Sequence, residues 1–494
     1  MFTTSAEPVA TAILMFIFGT LILCSILFSR TLNKAGVPVV LLFMVLGMLG
    51  GSQGIGGVEF KDYELAFRLG TIALVLILFD GGLNTAHSSI RASLVPAGLL
   101  ATVGVLITAA LVSGVAKLLG LSWGAALLVG AIVSSTDAAA VFAVLRGGSV
   151  RVKEPLRSTI ELESCINDPM AIILTVTLVE ALMTNSQPSW WLLVLVPMQL
   201  AIGTGVGVLM GYLGRWMLNN THFATVGLYP AATLAIASLT FGIATVVNGS
   251  GFLAVFAAAA VLGNGPLPYK AGLTRVHDAV AWFAQVSMFL MLGLLSFPSR
   301  LLDVAGVGLV LGLVLAFVAR PAAVAACLGL LGWKRKQIAY TGWIGIRGAV
   351  PIVLATIPIM SGVPAAERVF DIVFFIVVFS ALAPGASIIP ITRRLGFEDP
   401  HQPEPAAVLE IHSRRKLGGD VYVYCVSPTT TVCDATLAEI VFPADASVLL
   451  VVRGDSLLPA RGPTRLRVGD FVYIFCKPEE EPMVGLLFGP RILD

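Results

Sequence analysis

Between Ile160 and Met170 the chain reads Glu161-Leu162-Glu163-Ser164-Cys165-Ile166-Asn167-Asp168-Pro169, three carboxylates inside a long apolar stretch. Glu161, Ser164 and Asp168 follow an i, i+3, i+7 spacing, so they share one helical face, and Asn167 adjoins it. A second polar island is Ser134-Ser135-Thr136-Asp137, whose short side chains compete with the backbone for hydrogen bonds. Arg320 and Arg347 stand alone in two further apolar stretches. A carboxylate at the centre of a bilayer costs about 2.5–3.5 kcal/mol, so each one asks for a reason. The chemistry available to Asp168 is competition: one carboxylate holds either a proton or a cation, seldom both.

The elements that hold these groups read as membrane spans. The chain has 494 residues, 57% hydrophobic and 12% charged, with a mean hydropathy of +0.92. Soluble domains carry about a quarter charged residues, a shell that lipid makes unnecessary. Apolar windows of crossing length fall at about 9–28, 36–53, 68–85, 92–118, 123–144, 156–183, 189–218, 223–247, 250–265, 279–297, 302–330, 337–360 and 366–392. Residues 8–28 lack the basic flank and cleavage site of a signal peptide and read as the first span. Alternate connections carry Arg30/Lys34, Arg91, Arg146/Arg151/Lys153/Arg157, Arg215, Lys270/Arg275, Lys334/Arg335/Lys336 and Arg393/Arg394. The opposite set carries only Lys61, Arg68, Lys117, Arg300 and Arg368. That bias puts the N-terminus outside and the C-terminus in the cytoplasm.

After Arg394 the composition changes. Gly396–Pro405 is polar and proline-rich and opens a linker over 396–416. Val421–Val426, Ser447–Val452 and Asp470–Cys476 are β-type runs between Pro, Gly and Asp turns, so 417–494 reads as a small α+β domain. Its size is near the lower limit for standing alone, and it is expected to dimerise or pack on a partner. A net charge of +2 without any Lys/Arg run argues against nucleic acid. The six cysteines form no CxxC and the five histidines no HExxH, which argues against a zinc enzyme.

Gly342, Gly345, Gly348 and Pro351 bracket Arg347 as the hydroxyl run brackets Asp137, and Pro169 loosens the helix at Asp168. The two weakened helices are each the fifth span of a six-span half, spans 1–6 and 8–13. Such a pair marks inverted repeats around a midplane ion site, where unwound carbonyls and helix dipoles serve the ion. The expected fold is therefore an all-α polytopic membrane protein. It has thirteen transmembrane helices, two inverted six-helix repeats with crossed broken helices, and a small cytoplasmic α+β C-terminal domain.

Thr136-Asp137 in one broken span, Glu163-Ser164-Cys165-Ile166-Asn167-Asp168 on the next and Gly345-Ile346-Arg347-Gly348-Ala349-Val350 in a later one resemble the bacterial NhaP branch of the monovalent cation:proton antiporter-1 family. The resemblance covers about residues 1–395. It implies a homodimer in the bacterial inner membrane, with spans 1–3 and 8–10 as scaffold and spans 4–6 and 11–13 as a moving core. It implies that Asp168 carries cation and proton, that Asn167, Ser164, Asp137 and the Thr136 backbone help form the site, and that Glu163 pairs with Arg347 or Arg320. The tail motifs Arg453-Gly454, Leu458-Pro459-Ala460-Arg461-Gly462 and Gly469-Asp470-Phe471-Val472 resemble the C-terminal half of regulator-of-potassium-conductance domains. Together they point to the potassium/proton subgroup. K+ or Na+ and H+ are then the cargo, no resident cofactor is expected, and a small cytosolic ligand such as a nucleotide is expected on the tail.

Plainer readings compete. Glu163, Arg320 and Arg347 read first as a buried ion pair that fixes helix geometry, with Glu161 as a second partner. Gly203, Gly207 and Gly211 form GxxxG steps that close helix packing explains. With Asn167 neutral, the site has one titrating carboxylate rather than an Asp-Asp pair, and one proton for one cation is the natural stoichiometry unless Asp137 titrates as well. The rival functions are a tail-gated cation channel, although no TVGYG-like filter occurs, and a sodium-coupled solute symporter. A membrane-embedded enzyme lacks a nucleophile–base pair.

Overall fold

Apolar runs broken only by short polar islands fold as helices through most of residues 9–395. The computed structural model describes residues 9–34, 39–147, 150–184, 192–221, 223–399, 419–428, 430–454, 456–477 and 479–489. The helices are α1 (Val9–Lys34), α2 (Val39–Gly50), α3 (Tyr63–Leu83), α4 (His87–Leu118), α5a (Trp123–Ile132) and α5b (Ala138–Gly147). They continue as α6 (Leu156–Thr184), α7 (Leu192–Asn220), α8 (Leu228–Val246), α9 (Gly251–Gly263) and α10 (Lys270–Leu294). The last of this unit are α11 (Pro298–Leu330), α12a (Arg335–Trp343), α12b (Ala349–Met360) and α13 (Ala366–Leu395). Among the described residues, eight helices are long and apolar enough to cross a membrane, and α2, α5a, α9 and α12b are shorter apolar helices.

Each weakened segment behaves as its side chains dictate, with one exception. Helix α5 stops at Ile132 and resumes at Ala138, and helix α12 is interrupted between Trp343 and Ala349. Pro169, by contrast, sits inside an uninterrupted α6, although it removes one backbone donor. Buried residues flank it on both sides, and that packing holds the helix together. Among the described residues, three longer helices carry a π-helical turn, at Leu100–Gly104 in α4, Leu315–Ala319 in α11 and Ala381–Gly385 in α13. The GxxxG steps of α7 meet α9 backbone: a Cβ on Gly203 or Gly207 would collide with the Ser250 or Ala254 carbonyl.

The chain divides into two compact units, Met1–Asp399 and Pro400–Asp494. Residues 396–399, read from sequence as the start of a linker, are tied into the first unit by backbone hydrogen bonds. From residue 400 to 416 that linker lies outside the described residues. The second unit holds an antiparallel sheet of β1 (Asp420–Cys425), β2 (Ser447–Arg453), β3 (Ser456–Pro459) and β4 (Phe471–Cys476) in the order β1-β4-β2-β3. Helix α14 (Glu481–Phe488) covers it, with Val484 and Phe488 packed against Tyr424, Val451, Val472 and Ile474. The Arg453 guanidinium forks onto the buried Asp470 carboxylate at 2.8 and 2.7 Å, which raises the Arg453 pKa.

Candidate functional site

The two helix interruptions meet. The Asp137 amide donates to the Ile346 carbonyl at 2.8 Å, joining them directly. The Ser134 hydroxyl donates back to the Ala131 carbonyl at 2.6 Å, the competition that ends α5a. Asp137 then starts α5b, its carboxylate accepting the Ala140 amide at 3.0 Å. Arg347 serves the opposite ends. Its Nε donates to the Val133 carbonyl at 2.8 Å and its Nη1 to the Gly345 carbonyl, past the last residues of α5a and α12a. An anion thus lies at a positive helix end and a cation at two negative ones. The Arg347 amide also donates to the Ser380 hydroxyl at 3.0 Å, which holds the segment against α13.

Helix α6 docks into the α5 interruption through three hydrogen bonds. The Ser164 hydroxyl donates to the Thr136 carbonyl at 2.9 Å and accepts the Ala138 amide at 3.1 Å. The Asn167 Nδ2 donates to the Thr136 hydroxyl at 2.7 Å. Asn167 is fully buried and Asp168 only 6% exposed. The Ser135 hydroxyl lies beside Asp168, and the Asp137 carboxylate is near enough for the two charges to interact. Asp168 Oδ1 and Asn167 Oδ1 are buried without a hydrogen-bond donor from the protein. A buried carboxylate oxygen without a donor is costly, and a proton or a cation relieves it. The set is oxygen-only, which suits a hard cation. Among the described residues no three His, Cys, Asp or Glu side chains converge as a metal cluster would require.

The structure brings Asp168, Asn167, Ser164, Thr136 and Asp137 together around one crossing. It also separates residues that the sequence grouped. Glu163 forks onto Arg320, with Nη1–Oε1 at 2.5 Å and Nη2–Oε2 at 2.8 Å, and both side chains are buried. Arg347 is bound to carbonyls and reaches Glu163 only through space. Glu161 is no part of that buried pair: its Oε1 accepts from the half-exposed Arg157 one turn earlier on α6, at 3.1 Å. Gly345 lets this happen, because a Cβ there would lie 2.7 Å from Arg320 Nε and 3.0 Å from Arg347 Nη1. The sequence did not reveal Ser135 or Ser380. Ser135 stood in the hydroxyl run read only as a helix breaker, and Ser380 carries no local signal.

Gly348, just before α12b, makes room for Asp137: a Cβ there would overlap the Asp137 carboxylate and the Cβ behind it. Gly348→Ala is expected to displace that carboxylate and weaken apparent cation affinity about tenfold while the chain still folds, as the cation dependence of exchange in liposomes would read. An unchanged affinity would mean that the position of Asp137 does not matter to the ion.

Residues 18–394 match the family described as "Sodium/hydrogen exchanger, transmembrane". The chain is 38% identical over 477 residues to the K(+)/H(+) antiporter NhaP of Alkalimonas amylolytica, covering 95% of this chain and 82% of that protein. It is 37% identical over 485 residues to the K(+)/H(+) antiporter NhaP2 of Shewanella oneidensis, covering 96% and 83%. The solved structure of the sodium proton antiporter MjNhaP1 from Methanocaldococcus jannaschii at pH 8 superposes with a TM-score of 0.65 at 24% identity, over 78% of this chain and 100% of that one. At that identity the likeness speaks for the fold.

Proposed function

The chain belongs to the sodium/hydrogen exchanger family and is a cation/proton antiporter, and on that premise we propose that it exchanges K+ for H+ at Asp168. The observation that carries the assignment is the buried Asp168 Oδ1 without a donor, set where two interrupted helices cross. Asn167, Ser164, Thr136 and Asp137 complete the site. Asn167 and Ser164 hold Thr136 in place, and Asp137 adds negative charge within range. Proton and cation exclude one another at a single carboxylate. One titrating group makes the exchange electroneutral, with one proton for one cation. K+ is favoured over Na+ because the relatives at 37–38% identity are named for K+.

The architecture we propose has thirteen crossings, the N-terminus outside and the C-terminus in the cytoplasm, in two inverted six-helix repeats. Matching irregularities seven helices apart support the repeats. Helices α2 and α9 are both short, α4 and α11 each carry a π-helical turn, and α5 and α12 are each interrupted. Residues 1–395 form the exchanger domain, whose core rocks between the two sides as a homodimer in the bacterial inner membrane. Residues 417–494 form a regulatory domain like the C-terminal half of regulator-of-potassium-conductance domains, with a small cytosolic ligand, a nucleotide for example.

Purified chain in liposomes loaded with a pH dye tests this. Adding K+ outside should drive proton efflux faster than Na+ does, with no signal from a potential-sensitive dye. Net charge movement would refute electroneutral exchange. Unitary currents would make the protein a channel, and cation flux without protons would remove Asp168 from its proposed role.

A further inference from the structure

Helix α13 ends in a fixed way. Gly396 takes a left-handed conformation at φ +75°, its amide donates to the Arg393 carbonyl at 3.1 Å, and the Phe397 amide donates to the Thr392 carbonyl at 3.0 Å. These two bonds form a Schellman close, which sets the direction of the chain beyond the helix. Phe397–Asp399 then runs antiparallel to the turn that joins α5b to α6. Val152 pairs with Glu398, the Lys153 amide donates to the Phe397 carbonyl at 3.0 Å, and the Asp399 amide donates to the Arg151 carbonyl at 2.8 Å. The Lys153 ammonium adds a bond to the Gly396 carbonyl at 3.0 Å. The Phe397 ring meets the buried Tyr340 ring of α12a at 5.0 Å, and the Tyr340 hydroxyl is bonded to Thr392 of α13 at 2.9 Å.

A four-residue segment therefore touches three elements that reach the ion site. These are the turn leading from Asp137's helix to Asp168's helix, the first half of the other interrupted helix, and the end of α13. It is also the last piece of the exchanger unit before the chain continues to the tail. Hydrogen bonds of this kind each contribute little, so the segment can detach without unfolding the helices, and they lie on the backbone of elements that all belong to the moving core. We infer that residues 396–399 are a clasp through which the C-terminal domain sets the exchange rate. This rests on the regulatory reading of the tail. A tail that changes conformation on binding a ligand pulls on Asp399, and the clasp passes that load to α5b, α6 and α12a.

The test locks the clasp in the full chain. Directly paired residues of an antiparallel bridge lie within disulfide range, so Val152→Cys with Glu398→Cys should cross-link under a copper oxidant and release with a thiol reductant. The parent chain, with its six native cysteines, receives the same treatment as the control. Cross-linking is expected to change K+-dependent proton flux in liposomes about fivefold or more, reversibly. Unchanged flux would overturn the clasp. A second arm removes everything after Pro405. Truncation should shift the rate or pH profile of the reduced chain but not of the cross-linked one, and Phe397→Ala should abolish the shift without any thiol. An equal shift with the lock closed would show that the tail acts by another route, and overturn the proposal. If truncation shifts nothing in either state while cross-linking still alters flux, the regulatory reading of the tail fails and control of the core by the clasp stands.

Discussion

Asp168→Asn is expected to reduce K+-dependent proton flux to the level of empty liposomes, with the protein still monodisperse and close to wild-type thermal stability. The substitution keeps the volume and planar shape of the side chain, exchanges one acceptor oxygen for an NH2 donor and removes its ability to ionise. Little in the fold depends on that charge. The helix of Asp168 is anchored by Ser164 and Asn167 to the α5 interruption, and Asp168 Oδ1 receives no hydrogen bond that the variant would lose. The transport cycle, in contrast, depends on it entirely. An amide takes up no proton near neutral pH and presents no net charge to a cation, so neither cargo is loaded and the core has nothing to carry. Asp137→Asn should cost less, because that carboxylate also caps α5b and an asparagine oxygen still accepts the Ala140 amide. Proton flux with a pH dye, read beside melting temperature, separates the two variants. Robust cation-dependent flux in Asp168→Asn would remove Asp168 from the centre of the mechanism.

What the sequence made legible follows from what is local. The interruptions of α5 and α12 were readable because their causes lie within five residues, as hydroxyls before Asp137 and glycines around Arg347. Asp168 stood out because a carboxylate in so apolar a stretch has few bland explanations. The partner of Glu163 was not readable: Arg320 and Arg347 both lie in distant segments, and three-dimensional crossing decides between them. Pro169 misled in degree, since packing on both faces keeps α6 whole where propensity alone loosens it. In the tail, β1, β2 and β4 follow the β-type runs, whereas β3 is four residues long and escaped notice. The docked segment 396–399 was hidden for another reason. Its composition is that of a linker, and what orders it is backbone pairing with residues some 245 positions earlier.

Breaking the Glu163–Arg320 pair should give the largest stability effect in the chain. The side chains are 1% and 5% exposed, and both carboxylate oxygens are engaged by the two terminal nitrogens. Removing one partner strands the other charge in a medium that cannot solvate it, at a cost of roughly 3–5 kcal/mol. Glu163→Ala and Arg320→Ala are each expected to lower the melting temperature in detergent sharply. The double neutral variant Glu163→Gln with Arg320→Gln should be damaged far less than the sum of its singles, since no orphan charge is left behind. Arg347→Ala is a different case. It uncaps the Val133 and Gly345 carbonyls at the ends of two half-helices, and the native side chain meets Glu163 only through space, so it should couple to Glu163→Ala more weakly than Arg320→Ala does. A double-mutant cycle on each pair, read from thermal unfolding, distinguishes the two arginines. Strong coupling of Glu163 with Arg347 and none with Arg320 would mean that the ion pair in the folded protein is not the one the geometry shows.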